Sequence, residues 1–320
     1  MEDHKHPEML VSEDAARSTV GTMRPYGVPA RGKRGTRLIL LGTKGGPRVG
    51  LNGRKNPSTL LLINDVPYVV DCAYGTSRQL LRAGVSLNSL RYIFITHHHS
   101  DHNLEYGPLI YNAWVTGLAT PVDVFGPPTM KEMTKAFLDY MKHDIDVRVG
   151  DEGRVDLRNL PIIHEFDKPG VLMQNGDVKV TATRVRHPPI TQSYAFRFDT
   201  NDCSIVISGD TTYSPELIEF AQGADILVHE VLYLPGLESL LQRIPNAATM
   251  REHQLASHTV TEDVGKVAAA AGVRTLVLSH FVPGDDPSIT DEQWTEGVLK
   301  HYRGRVIVGK DLMEVPLQSL

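Results

Sequence analysis

Covalent bracing is almost absent from this chain. Two cysteines, Cys72 and Cys203, stand among 320 residues, too few for a disulfide framework. Asp71, Ala73 and Tyr74 around Cys72 offer no base for a thiolate nucleophile. Both cysteines therefore read as small buried hydrophobes. No apolar run reaches the length of a membrane span, and the N-terminus lacks a signal-peptide core. A soluble cytoplasmic protein with no membrane partner is expected. Neither sign of charge dominates. With 33 basic and 38 acidic residues the net charge is −5, unlike a protein built to hold a polyanion along its length, although a local patch can hide in that sum. The 41% hydrophobic and 22% charged composition excludes collagen-like, coiled-coil and mostly disordered chains. What is present in mild excess is histidine: 14 in all, four of them between positions 97 and 102.

Texture divides the chain. Residues 1 to about 35 mix charges of both signs with Pro and Gly, and read as a flexible N-terminal arm without a core. His4 and His6 lie in that arm and are not read as ligands. From 36 to 320 the chain reads as one catalytic domain. Strands are predicted at Leu38–Leu41, Thr59–Ile63, Tyr68–Val70, Tyr92–Ile95 and Val122–Phe125, and later at Val178–Arg186, Tyr194–Phe198, Cys203–Ser208, Ile226–Val228, Thr275–Ser279 and Val306–Val308. Helices are predicted at Gly75–Ala83, His102–Gly117, Pro128–Lys142, Thr261–Ala271 and Thr290–His301. The polar stretch 143–176 reads as loops and short strands. No motif guides 232–256. Strand runs in each half, interleaved with helices, give an α/β class with an αββα sandwich of two mixed sheets between helical layers.

The strongest local signal is Thr96-His97-His98-His99-Ser100-Asp101-His102, directly after a predicted strand, where rigid sites are built. In an extended turn His97 and His99 project to one side and can share a cation, while His98 points away. Asp101 and His102 begin the next element and face a neighbouring position. The spacing offers half-shells for two metal ions. Imidazole and carboxylate without thiolate favour zinc, two Zn2+ per chain, with Mn2+ or Fe as alternatives. His187, Asp210 and His280 each follow a predicted strand and are the candidates to complete the shells. His143, His164, His253 and His301 have no such setting and read as surface residues. Tyr111, Trp114 and Phe281 read equally well as pocket wall or core. Gly42, Gly45 and Gly46 lack the Gly-Lys-Ser/Thr ending of a phosphate loop.

In their order, His97, His99, Asp101, His102, His187, Asp210 and His280 resemble the metallo-β-lactamase superfamily. The resemblance runs from about Arg37 to the C-terminus. The segments Leu41–Pro47 and Val70–Thr76 resemble the branch that holds ribonuclease Z and the zinc-type arylsulfatases. So do Val228-His229-Glu230-Val231 and Ser257-His258-Thr259-Val260-Thr261. The resemblance implies that His97, His99 and His187 hold one metal, that Asp101, His102 and His280 hold the other, and that Asp210 bridges them. A bridging hydroxide would be the nucleophile. Asp101 would also orient it. His258 would face the developing oxyanion or protonate the leaving group, with Glu230 fixing its tautomer.

The expected activity is hydrolysis of a small ester, with aryl sulfate as leading substrate and phosphodiesters or lactones behind it. His102–Leu109 resembles the arylsulfatase-like members. The alternative is a ribonuclease Z-like tRNA 3′-processing endonuclease. Glu105-Tyr106-Gly107-Pro108, where that enzyme carries a Gly-Leu-Pro-Gly-type run, and the mild acidity weigh against nucleic acid as partner. A β-lactamase and a di-iron redox protein on the same fold are further alternatives; histidine at position 99, where redox members carry Glu, favours zinc. The resemblance leans towards a homodimer.

Overall fold

The computed structural model describes residues 35–50 and 53–317; nearly all of the arm expected over 1–35 lies outside them. Alternation along the strands decides the layering. In β1 (Thr36–Gly42), Leu38 and Leu40 face one way and Ile39 and Leu41 the other, and all four are buried. A strand that is apolar on both faces needs cover on both.

That cover is a second sheet on one side and helices on the other. The first sheet runs β14 (Met313–Val315), β1, β2 (Ser58–Ile63), β3 (Val66–Val70), β4 (Tyr92–Phe94), β5 (Val122–Gly126) and β6 (Pro161–Glu165). The second runs β13 (Arg305–Val308), β12 (Thr275–Val282), β11 (Ile226–Leu232), β10 (Ser204–Ile207), β9 (Ile190–Thr200), β8 (Val178–His187) and β7 (Gly170–Gln174). Each is mixed: β3 to β6 pair parallel, as do β10 to β13, and the remaining pairs are antiparallel. The expected αββα sandwich is the observed architecture. Each half of the chain supplies one sheet, except that β14 returns to the edge of the first.

Helices α1 (Thr76–Arg82) and α3 (Tyr106–Val115) cover the outer face of the first sheet through Leu80, Leu109, Ile110 and Trp114. Helices α6 (Pro215–Ala221), α9 (Thr261–Ala271) and α10 (Asp291–Leu299) cover the second through Leu217, Val264, Val267 and Trp294. Between the sheets Phe94 is the hub. Its ring stacks on Phe125 at 4.9 Å and meets Phe196 and Phe198 edge-on at 5.6 and 5.3 Å. Both cysteines are buried and free, and burial raises both thiols. Tyr111, Trp114 and Phe281 pack with the hydrophobic clusters and do not line the cleft described below. Among the described residues no helix is long and apolar enough to cross a membrane.

Three segments differ from the sequence pattern, each for a physical reason. The helix predicted over His102–Gly117 is two, α2 (Ser100–Asn103) and α3. Pro108 has no N–H to give Leu104 and would clash with its carbonyl in a continuous helix, so a new helix starts at Tyr106. Between them the Glu105 carboxylate accepts from Ser77 N at 2.7 Å and from Gly75 N. After α4 (Met130–Tyr140), the stretch 143–176, predicted as loops and short strands, holds the short strands β6 and β7 but opens with a helix, α5 (Lys142–Glu152). Only Ile145 of α5 is buried. With no apolar stripe to betray it, the helix leans on four-apart pairs such as Arg148 with Asp144 at 2.9 Å and with Glu152 at 2.7 Å. The region without a motif folds as a helical pair, α7 (Leu234–Leu241) and α8 (Ala247–Ser257).

Replacing Phe94 by Ala removes the shared partner of four rings, Tyr68 among them, and the expected destabilisation is about 3–5 kcal/mol. Denaturant titration checks this; a loss under about 1 kcal/mol would show that the sheets do not rely on this hub.

Candidate metal centre

Every candidate ligand sits at one end of the two sheets. The chain leaves β4 at Phe94 and turns through Thr96–His99 into α2, which carries Asp101 and His102. His187 is the last residue of β8, and His280 lies near the end of β12. Asp210 follows β10 by way of Gly209, which has φ +60; a Cβ there would lie 2.5 Å from Tyr194 O. Only glycine allows the turn that aims Asp210 inward. His280 itself has φ +45 and Asp71 φ +62, strained values for such side chains.

The structure brings all seven sequence-predicted ligands into one cluster, in two pockets. In the first, His99 Nδ1 lies 3.0 Å from His97 Nε2 and 3.1 Å from His187 Nε2. In the second, His280 Nε2 lies 3.3 Å from His102 Nε2 and 3.4 Å from Asp101 Oδ2. Asp210 Oδ2 stands between them, 3.2 Å from His102 and His280 and 3.9 Å from His97 and His187. The donor atoms of each group fall within 4.8 Å of one another.

Hydrogen bonds on the far side of the rings set their tautomers. His97 Nδ1 meets Thr96 Oγ1 at 3.0 Å, His102 Nδ1 meets Asp71 Oδ2 at 2.7 Å, and His187 Nδ1 meets Ser257 O at 2.8 Å. A proton on each Nδ1 leaves the Nε2 lone pair facing inward. Asp71 is a residue that sequence reasoning missed: its carboxylate also accepts from Thr96 N at 2.8 Å, so it orients both the turn and His102. Its signals are an acidic residue just after a buried strand and its place in the segment Val70–Thr76.

The charge balance suits a cation. Burial, helped by neighbouring imidazoles, holds His97 and His99 below the ordinary imidazole value, although Asp210 opposes it at both and Asp101 opposes it more strongly at His99. Burial takes His187 down to about 4. These three are neutral near pH 7, as ligands must be. Burial would raise the carboxyls of Asp101 and Asp210, but His102 and His280 outweigh it and hold both low. Burial lowers His102, and the carboxylates of Asp210, Asp71 and Asp101 more than reverse this. Ring nitrogens facing one another at about hydrogen-bond distance cannot all be satisfied, and Asp210 Oδ1 is buried without a partner. Cations in the two pockets satisfy these groups together, so the residues fit a dinuclear metal site.

His258 and Glu230 stand beside the cluster. Glu230 Oε1 accepts from Thr259 N at 2.9 Å and Thr211 N at 3.3 Å. It lies 3.4 Å from His258 Nδ1, an ion-pair contact whose alignment is too poor for a hydrogen bond. Burial lowers His258, but the Glu230 carboxylate outweighs it and the imidazole rises to about 9. The ring faces those of His187 and His280 at 5.2 and 5.6 Å. His98 instead bonds to Pro128 O at 2.9 Å, away from the cluster.

The cluster floors a cleft of about 820 Å3. Leu237, Leu240, Ile244 and Met250 of the α7–α8 region form an apolar wall, and Arg48 and Arg243 are exposed at the rim. His253, expected at the surface, is half-buried and lines this cleft. His143 and His301 are exposed; His164 is exposed too and pairs with Asp123 at 2.8 Å.

A family model described as "Beta-lactamase superfamily domain" matches residues 67–281. Ribonuclease Z of Mycobacterium bovis (strain BCG / Pasteur 1173P2) is 32% identical over 284 residues, covering 87% of this chain and 97% of that protein. Ribonuclease Z of Mycobacterium tuberculosis (strain H37Rv) is 31% identical with the same coverage. Among solved structures, human tRNase Z, short form, superposes with TM-score 0.65 at 19% identity, covering 88% of this chain and 98% of that one. The metallo-β-lactamase fold protein YhfI of Bacillus subtilis gives TM-score 0.62 at 20% identity, with the same coverage. These two show the shared fold. The relatives overturn aryl sulfate as the leading substrate: they are named for ribonuclease Z and match along almost their whole length. The motifs that suggested a sulfatase are common to both groups, and the short His102–Leu109 segment that tipped the choice is too little sequence to outweigh them. On the family model and the near-complete match to these relatives, the chain belongs to the metallo-β-lactamase superfamily and carries a His/Asp cluster fit for two metal ions.

Proposed function

We propose that this protein is a metal-dependent endonuclease of the ribonuclease Z type, cutting a phosphodiester bond in the 3′ processing of tRNA. The observation that carries the proposal is the 32% identity that spans 97% of a ribonuclease Z. The cleft agrees with it. Arg48 and Arg243 line the cleft beside Asp285 and Asp286, and the two guanidinium groups offer positive charge to a phosphate backbone next to the cluster.

In this reading His97, His99 and His187 hold one cation and Asp101, His102 and His280 the other, with Asp210 shared. The nitrogen and oxygen donor set favours zinc. Bound there, two cations supply Lewis acidity to a phosphoryl oxygen and make water acidic enough to attack near neutral pH. The protein does the rest. Asp210 and Asp101 keep negative charge between and beside the pockets. Asp71 and Thr96 hold the His97–His102 turn in one geometry. Glu230 occupies the Nδ1 side of His258 and leaves the cleft side of the ring for the developing negative charge or the leaving oxygen.

Metal-loaded protein is expected to cut a precursor tRNA at a single position 3′ of the acceptor stem, read on a denaturing gel. Intact precursor alongside turnover of another ester would overturn the proposal. Asp210→Ala is expected to release bound metal and abolish measurable cleavage; full metal content with retained activity would remove its shared role. His258→Ala is expected to keep both metals and lower kcat by about 10²–10⁴-fold, and unchanged turnover would take His258 out of the mechanism.

A further inference from the structure

Lys44, just past β1, is 2% exposed, and a buried ammonium is expensive unless its donors are used. Its Nζ donates to Gly46 O at 3.1 Å and to Arg48 O, with Asp285 Oδ1 3.8 Å away. Asn56 Nδ2 donates to the same Gly46 carbonyl at 2.8 Å. The N–H of Gly46 donates at 2.8 Å to Asp101 Oδ2, the oxygen that faces His280 Nε2 at 3.4 Å and His102 Nε2 at 3.7 Å.

The strand ends anchor this segment. Gly45 N donates to Phe281 O at 3.0 Å, Phe281 N to Thr43 O at 2.8 Å, and Lys44 N to Lys55 O at 2.8 Å. A Cβ on Gly45 would come within 2.8 Å of the His280 ring, so the segment passes directly over the second pocket. Gly46 has φ +82. A glycine there has wide backbone freedom, so beyond the anchored Gly45 the hydrogen bonds to its carbonyl help to hold its N–H towards Asp101.

We propose that Lys44 and Asn56 are positioning residues: together they clamp the Gly46 carbonyl so that the Gly46 N–H fixes the Asp101 carboxylate in the second metal pocket. The first pocket takes its order from elsewhere, from Thr96 behind His97 and Ser257 O behind His187. Loosening the clamp therefore weakens one pocket and spares the other. The inference rests on the reading that Asp101, His102 and His280 hold a cation.

The test is titration of the metal-free full chain with Co2+, followed by heat and by visible absorption. The wild-type chain is expected to show two sites. Lys44→Met is expected to raise the Kd of one site about 10- to 100-fold, the range for loss of a partner behind a ligand, and to leave the other unchanged. The weakened site is the one that Asp101→Asn removes. Asn56→Ala is expected to shift the same site less, because Lys44 remains. If Lys44→Met does not melt cooperatively, Asn56→Ala decides alone. Unchanged values, or both values raised alike, overturn the clamp. A wild-type chain that takes up fewer than two Co2+ overturns the metal reading itself, and the clamp with it.

Discussion

Asp210 carries a buried carboxylate whose Oδ2 faces four imidazoles, two at 3.2 Å and two at 3.9 Å. Little else at this end of the molecule makes sense without it. The carboxylate balances the rings that would otherwise crowd one another, and it links a pocket built mainly from the His97–His102 turn to residues from the second sheet. Holding it requires Gly209 in a left-handed turn and both sheets ending on the same side. The sandwich is thus a device for bringing β4, β8, β10 and β12 to a common edge, with the aromatic hub at Phe94 fixing the spacing of the layers.

The sequence was most legible where chemistry and period coincide. The His97–His102 turn, the histidines and aspartate after later strands, and the alternating runs of β1 and β8 each leave a pattern that one chain can show. Helix α9 falls at Thr261–Ala271, where the sequence pattern placed it. What escaped has no pattern of its own. Helix α5 is held by surface ion pairs and buries one side chain. Asp71 acts through hydrogen bonds to Thr96 and His102 that exist only after β3 and β4 lie side by side. His253 gains its place because α8 folds over the cleft, a packing event that residues 232–256 do not announce.

Substrate class shows the same limit from another side. In the proposed reading the cluster and the His258–Glu230 pair serve attack on a tetrahedral anionic group, and a sulfate or a phosphate ester meets that description equally. The summed charge of the chain says little here, because it does not tell where the charges stand, and the cleft wall carries Asp285 and Asp286 as well as Arg48 and Arg243. The choice came from similarity along the whole chain, not from any single motif.

Residues 309–315 have a part beyond their own strand. Strand β14 completes the edge of the first sheet, pairing Leu38 with Val315, and Arg37 grips Glu314 through two bonds of 2.8 and 2.9 Å. Just before it, Asp311 receives Thr43 N at 3.0 Å and Lys55 N at 2.6 Å, and Gly309 O accepts from Arg54. Those bonds brace both roots of the segment that crosses the second pocket. On the ribosome, this bracing waits until residue 315 has emerged, some 270 residues after the segment it braces. The turn that carries His97–His102 is thus made early, whereas His280 and the braces at Gly309 and Asp311 follow much later, so the second pocket cannot close until that stretch has been made.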